Sequence, residues 1–236
     1  MTKVRPLYHR ATKKECSTLV TVKVMLRKDI LYQNQKKAEE LKKRFRDNRC
    51  KAINIISSPG SGKTSVLEQI IPRLSGIKIA VIEGDIATTR DAHRIAALGV
   101  PVVQITTHGA CHLDANLIAE SLGELNLAAT DVLLIENIGN LVCPASFDLG
   151  ENLRILVLST TEGSDKPAKY PMAFRTSHAV IINKTDLIPY TDFKLEPVVN
   201  EIQAINPGAR ILQVSCRTLE GIEETARWLR GWILAP

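Results

Sequence analysis

Residues 57–65 read Ser-Ser-Pro-Gly-Ser-Gly-Lys-Thr-Ser, directly after the apolar run Ala52-Ile53-Asn54-Ile55-Ile56. This is a short buried strand, a glycine-rich turn and the start of a helix. Such a turn aims several backbone N–H groups into one concavity, and the helix adds the positive end of its dipole. A triphosphate fits there. Lys63 reaches the β- and γ-phosphates, and the Thr64 hydroxyl is placed to ligate Mg²⁺. Ser57 occupies the position where such loops commonly begin with Gly, while Gly60, Gly62, Lys63 and Thr64 are all in place. Ser58, Pro59, Ser61 and Ser65 complete the expected phosphate contacts. Alone, the loop specifies a nucleoside triphosphate and not which one.

From residue 51 onward, short apolar runs alternate with helical stretches. Strands are expected at 78–83, 102–105, 132–136, 154–158, 179–183 and 211–214. Helices are expected at 91–98, 113–122, 195–205 and 219–234. Apolar strands without polar alternation predict a sheet covered on both faces. The fold class is therefore α/β: a P-loop NTPase with a mostly parallel central sheet and helices on both faces. In such sheets the ligand lies beyond the carboxyl ends of the strands.

The chain has 236 residues, 44% of them hydrophobic, enough for one sizeable core. No apolar run approaches the roughly 18 residues that span a bilayer, and no secretory signal is recognisable. Five cysteines, an odd and sparse set, do not form a disulfide framework, so a cytoplasmic location without membrane contact is expected. Residues 1–51 hold 16 Lys/Arg against 5 Asp/Glu, while the remainder, with 15 against 20, is acidic. Three segments follow: a basic flexible leader at 1–27, a helix at 28–50 packing on the main domain, and a GTPase domain at 51–236. Ile30, Leu31, Ala38, Leu41 and Phe45 fall near helical spacing, which makes a solvated basic face the simpler reading. With few aromatics among the basic residues, nucleic-acid binding is not expected.

Asn183-Lys184-Thr185-Asp186 follows the run 179–182. A carboxylate at Asp186 accepts from guanine N1–H and the 2-amino group, donors that adenine does not offer there, so the site selects GTP over ATP. The Lys184 stem covers the ring, and Asn183 ties the base loop to the phosphate loop. The stretch 214–216 is a further source of a backbone donor to the guanine O6. In Leu134-Ile135-Glu136-Asn137-Ile138-Gly139-Asn140, a strand ends in a carboxylate with Gly139 three residues on, the pattern of a Mg²⁺ and γ-phosphate sensor. Asp85, in Glu83-Gly84-Asp85, is a second metal-side carboxylate, with a turn cap as its alternative. Lys63, Asp85 and Glu136 are the expected catalytic groups, and Thr64, Asp85 and Glu136 the expected Mg²⁺ ligands.

Cys111-His112 and Cys143 form a third constellation, the former expected to open the helix toward Leu122. On spacing alone, two buried cysteines and a capping histidine explain them as well as a metal site does. The position of Cys143 just after the sensor favours Ni²⁺ or Zn²⁺. Three ligands do not close a tetrahedral site, so water or a second copy of the chain would complete it.

The stretches SSPGSGKT, EGDIATTRDAHRI, GACHLDA, ENIGNLVCPASFDLGE, TEGSDKPAKYP and INKTDL resemble the hydrogenase nickel incorporation GTPases, the HypB family. The match runs from about residue 28 to the C-terminus. The related urease GTPase UreG is similar in its phosphate loop and acidic sensor but carries a Cys-Pro-His motif that this chain lacks. The resemblance implies a GTPase that cycles between GTP and GDP and dimerises with nucleotide. It also implies a Ni²⁺ or Zn²⁺ site of Cys111, His112 and Cys143 near that interface, and delivery of nickel to the hydrogenase large subunit with the accessory protein HypA. Some relatives carry an N-terminal cysteine pair or histidine-rich stretch; here Cys16 stands alone. Where relatives often show Lys-Gly, this chain has Thr107-His108-Gly109, with His108 read as an exposed turn residue. A GTP-dependent scaffold in metallocentre assembly, without its own metal delivery, is the competing reading.

Overall fold

The computed structural model describes the backbone of residues 13–107 and 109–235, and side chains from Asp29 onward within those bounds. Tyr8, Cys16 and His108 lie outside the described side chains, as does most of the expected leader. The chain divides into two compact units, Met1–Gln33 and Asn34–Pro236. The first contains the amino-terminal part of helix α1 (Lys13–Asp47); the second contains the rest of α1 and every other element. The expected helix start at residue 28 is therefore displaced to Lys13. The helical spacing holds for Ala38, Leu41 and Phe45, which are buried, but Ile30 is exposed and Asn34 heads the buried stripe instead.

Seven parallel strands form one sheet in the order β3-β2-β4-β1-β5-β6-β7. They are β1 (Lys51–Ser57), β2 (Ile79–Asp85), β3 (Val102–Thr106), β4 (Val132–Gly139), β5 (Leu153–Ser159), β6 (Ala179–Asn183) and β7 (Arg210–Gln213). The crossovers carry α2 (Lys63–Ile70), α3 (Arg90–Ala96), α4 (Ala115–Ser121), α5 (Lys166–Lys169), α6 (Pro171–Arg175) and α7 (Leu195–Ile205), and α8 (Ile222–Leu234) follows β7. Ile53 and Ile55 point to one face and pack with Val66 and Leu67 of α2 and Ala226 and Leu229 of α8. Ala52 points to the other face with Leu41 and Phe45 of α1 and Ile118 of α4. Ile56, on that same face, packs toward Phe174 of α6 and Ile202 of α7. Both faces of the sheet are thus covered, which is why its strands read as unbroken apolar runs.

Among the boundaries that differ from the sequence reading, three bear on the site or have a local cause. Helix α4 begins at Ala115, because the Asp114 carboxylate accepts from Leu117 N at 2.9 Å and caps it; Cys111 and His112 sit in the loop before. Helix α8 begins at Ile222, because Leu219 and Gly221 both take left-handed φ, 68° and 70°, and turn the chain first. Strand β4 runs past Glu136 to Gly139, with a register irregularity opposite Ile55 and Ser57. Such bulges re-aim side chains beside functional sites. The short α5 and α6 were not anticipated; their Pro- and Lys-rich sequence carries little apolar periodicity.

Candidate nucleotide and metal sites

The phosphate loop leaves β1 and enters α2 at Gly62, the residue preceding the helix, with φ 95°. The loop is held from several sides. The single Ser61 hydroxyl proton is shared between Ser58 O (2.7 Å) and Glu162 Oε1 (2.6 Å), and Asn183 Nδ2 donates to Ser61 O (2.9 Å). Lys184, itself in a left-handed conformation, donates from Nζ to Gly60 O at 2.8 Å. Asn183 and Lys184 therefore join the base-reading loop to the phosphate loop directly. Ser57, which stands where such loops commonly have Gly, accepts from Lys63 Nζ at 3.1 Å and donates to Ser58 O at 2.6 Å.

Below the loop lies a buried acidic pair. Thr64 Oγ1 donates to Glu136 Oε1 at 2.8 Å, and Lys63 Nζ lies 3.9 Å from the same oxygen. Glu83 occupies the register position beside Glu136 on the neighbouring strand β2. Burial, then repulsion from Glu136, pushes the Glu83 carboxyl up to about 10, with Lys63 acting in the opposite sense. Burial also raises Glu136, against the pull of Lys63 and Thr64. Glu83 and Glu136 each keep one buried oxygen, Oε2, with no fixed donor. A Glu83 that keeps its proton avoids two adjacent buried charges. Glu83 was not singled out from the sequence as a site residue; the available signal was a carboxylate inside the buried run Ile79–Asp85, whose burial costs free energy unless it has a task.

Asp85 ends β2 as expected, and its oxygens accept from Ala87 N (2.8 Å), Thr88 N (3.0 Å) and Thr88 Oγ1 (3.2 Å). Burial raises its pKa, but these bonds outweigh it and hold the carboxyl below its ordinary value. It caps a turn and also belongs to an acidic cluster: ligand oxygens of Glu83, Asp85 and Asp91 lie within 4.8 Å of one another. Gly139 comes so close to the loop that a Cβ there would lie 2.7 Å from Pro59 Cα.

The side expected to read the base is a cleft of about 390 Å³ lined by Asn183, Lys184, Asp186, Leu187, Cys216 and Ser65 among others. Ser215 Oγ donates to Asp186 Oδ1 at 2.6 Å and fixes its carboxylate. The Val214 and Ser215 N–H groups are committed to Ile182 O and Glu220 O, so neither is the expected donor to the guanine O6. A cleft of about 420 Å³ beside Lys42, Asp148 and Arg154 is slightly larger. It lies away from the phosphate loop, and its charges pair with each other, as in Lys42–Asp148 and Arg154–Glu151.

Cys111, His112 and Cys143 are brought together, with ligand atoms within 4.8 Å of one another. The two Sγ atoms are 3.0 Å apart, and Cys111 Sγ is 3.6 Å from His112 Nδ1. Cys111 is exposed, and Asp114 rather than His112 caps α4, so buried cysteines and a capping histidine do not describe the site. The His112 ring packs on Phe147 at 3.9 Å between centroids, and burial lowers its pKa, with Asp114 opposing. A neutral imidazole beside two thiols is a donor set for a borderline-soft divalent cation. Two residues that sequence reasoning left without a role connect this site to β4. Asn137 Oδ1 accepts from Leu113 N at 3.1 Å, and Asn140 Nδ2 donates to Cys111 O at 3.2 Å.

A parallel sheet with a glycine-rich loop between β1 and α2, and a carboxylate on the adjacent β4 facing it, defines a P-loop nucleotide-binding protein. Residues 51–213 match the model of the CobW/HypB/UreG nucleotide-binding domain, and the chain belongs to that family. It is 45% identical over 202 residues to the hydrogenase maturation factor HypB of Escherichia coli strain K12, covering 85% of this chain and 70% of that one. The crystal structure of HypB from Helicobacter pylori in complex with nickel is similar at a TM-score of 0.81 and 40% identity, covering 85% and 95%. That of Archaeoglobus fulgidus HypB is similar at 0.80 and 37%, covering 86% and 99%. No described helix is long and apolar enough to cross a membrane.

Proposed function

We propose that the protein is a GTP-binding and slowly GTP-hydrolysing metallochaperone that delivers nickel during maturation of a [NiFe]-hydrogenase. It would act as a cytoplasmic homodimer, with the accessory protein HypA and the hydrogenase large subunit as partners. One observation carries the reading. A single stretch of β4 and its following loop touches the phosphate loop through Glu136 and holds the first metal loop through Asn137 and Asn140. It then carries Cys143 to within 3.0 Å of Cys111. Nucleotide state and metal geometry share one piece of backbone. The names of the similar proteins, a hydrogenase maturation factor and a nickel complex, support the choice of cargo.

In this reading Lys63 and the N–H groups of the loop and of α2 hold the β- and γ-phosphates, and Gly139 meets the γ-phosphate. Asn183, Lys184 and Asp186 hold guanine. Thr64 and Glu136 would hold a Mg²⁺ ion, since the Thr64 hydroxyl meets the Glu136 carboxylate and Glu136 Oε2 is buried without a donor, and Asp85 is the further carboxylate of this reading. A Mg²⁺ ion held there would supply neutralisation of the phosphate charge. With the ion in place, the Thr64–Glu136 bond seen here at 2.8 Å would be the contact through which the 136–143 segment is coupled to the phosphate loop. Cys111, His112 and Cys143 hold Ni²⁺ or Zn²⁺, and nucleotide and metal affinities become reciprocally coupled.

Equilibrium dialysis with Ni²⁺ and Zn²⁺ tests this, in apo, GDP and GTP-analogue forms with oligomer mass recorded. Wild type should take up metal with an affinity that depends on nucleotide. A Cys111→Ala/Cys143→Ala variant should lose that uptake. Equal uptake by both proteins replaces the delivery reading with the GTP-dependent scaffold.

A further inference from the structure

Asn34 is a polar residue in an apolar stripe. With Ala38, Leu41 and Phe45 it lies on the buried side of α1, and it is only 4% exposed. Such a position costs free energy unless both ends of the carboxamide are used. Both are. Asn34 Oδ1 accepts from Ala115 N at 2.8 Å, and Asn34 Nδ2 donates to Asp148 O at 2.8 Å. The partners fix the amide orientation, since one is a donor and the other an acceptor. They also belong to different segments: Ala115 follows Cys111 and His112, and Asp148 follows Cys143. One side chain of α1 thus spans the two loops that carry the candidate metal ligands, 81 residues away on one side and 114 on the other.

The remainder of this contact is tight. A Cβ on Gly150 would lie 2.7 Å from Leu41 Cβ and 2.8 Å from Ala38 O, so α1 and the segment after Cys143 pack backbone against side chain with no slack. Lys42 adds a bond to Asp148 Oδ2 at 2.7 Å, but this one ties α1 to a single loop. Among the described side chains of α1, only Asn34 hydrogen-bonds to both.

We infer that Asn34 is a positioning residue for the Cys111–His112–Cys143 site, setting the separation of its two loops from helix α1. The inference rests on reading those three residues as metal ligands for a thiophilic divalent cation. Outer groups that orient ligands commonly change metal affinity by 10–100-fold when removed.

The full chain is tested as wild type, Asn34→Leu, Asn34→Asp, Lys42→Met and Cys111→Ala/Cys143→Ala. Ni²⁺ and Zn²⁺ affinities are read by competition with a chromophoric chelator. Closure of Cys111 and Cys143 into a disulfide by oxidised glutathione, in metal-free protein, reads loop separation independently. Asn34→Leu, which loses both bonds at similar volume, should bind metal roughly 10–100-fold more weakly and close more slowly. Asn34→Asp, which keeps the acceptor and loses the donor, should fall between, and it decides the matter if Asn34→Leu does not fold. Lys42→Met should match wild type, and GDP affinity without metal should be unchanged throughout. The inference is overturned if the Asn34 variants keep wild-type affinity and closure rate, or if Lys42→Met loses as much, which would make Asn34 only part of general helix docking. Equal metal uptake by wild type and the double cysteine variant instead removes the metal-site reading, and the closure rates still decide whether Asn34 positions the loops.

Discussion

Glu83 and Glu136 lie side by side on adjacent parallel strands, both almost fully buried, under the residues that would hold a triphosphate. Two carboxylates at this separation do not both ionise without cost, and burial raises both. The sign of the resulting pH dependence is set by Glu83. The folded state keeps its proton up to about 10, whereas an unfolded carboxyl releases it near 4.5. The folded state therefore binds more protons in that window. Its stability is full below the unfolded value and is lost as pH rises toward the folded one. The nucleotide-free protein should show a melting temperature that declines from mildly acid to alkaline pH. Glu83→Gln, which keeps a donor toward Glu136, should flatten the decline; an unchanged slope by calorimetry would show that the pair does not hold this proton.

Asp186 is fixed by Ser215 at 2.6 Å at the wall of the base cleft. Asp186→Asn replaces a charged acceptor and should weaken GDP binding by roughly 10- to 100-fold, the range expected for a lost charge-assisted hydrogen bond of about 1.5–3 kcal/mol. Xanthosine diphosphate, which carries oxygen in place of the 2-amino group, should bind the variant better than it binds wild type. Isothermal titration with both nucleotides reads the exchange.

Gly139 sits against Pro59 with no room for a methyl group, since an added Cβ would be 2.9 Å from Pro59 N as well as close to its Cα. Gly139→Ala must push the sensor strand and the phosphate loop apart. A loss of about 1–3 kcal/mol in stability is expected, together with weaker binding of a GTP analogue. Thermal melts with and without nucleotide separate the two effects.

No glutamine stands in the sequence where it would obviously orient an attacking water on the γ-phosphate. The lone protein should therefore hydrolyse GTP more slowly than about 1 s⁻¹, on the scale of unassisted switch GTPases. Phosphate release under single-turnover conditions measures this, and a faster rate would point to a catalytic group outside Lys63, Asp85 and Glu136.

The parts of the site legible in the sequence are those built within one short window. The phosphate loop and Asn183-Lys184-Thr185-Asp186 each follow a strand, and β6 and α7 fall at the anticipated bounds. Cys111, His112 and Cys143 were recognisable as residue types with metal-binding chemistry. The start of α4 was misread because the capping power of Asp114 outweighs the proximity of His112, and a helix begins where its first free N–H groups find an acceptor. Glu162 was invisible as a partner of the loop, since Ser61 lies 101 residues before it.

The local chemistry is contained in short stretches of the chain: a glycine-rich loop of the P-loop kind, a carboxylate expected to read guanine, and thiols with an imidazole. A few residues at fixed spacing dictate such geometry because backbone dihedrals and hydrogen bonds over four to nine residues are nearly self-sufficient. Only the tertiary structure decided what these parts do to one another. The sheet order puts β4 between β2 and β1, so Glu83 meets Glu136. The burial of one face of α1 carries Asn34 to both of the segments that follow the candidate metal ligands. Such adjacency follows from which apolar faces are buried together across the whole chain, and no short window of residues contains that choice.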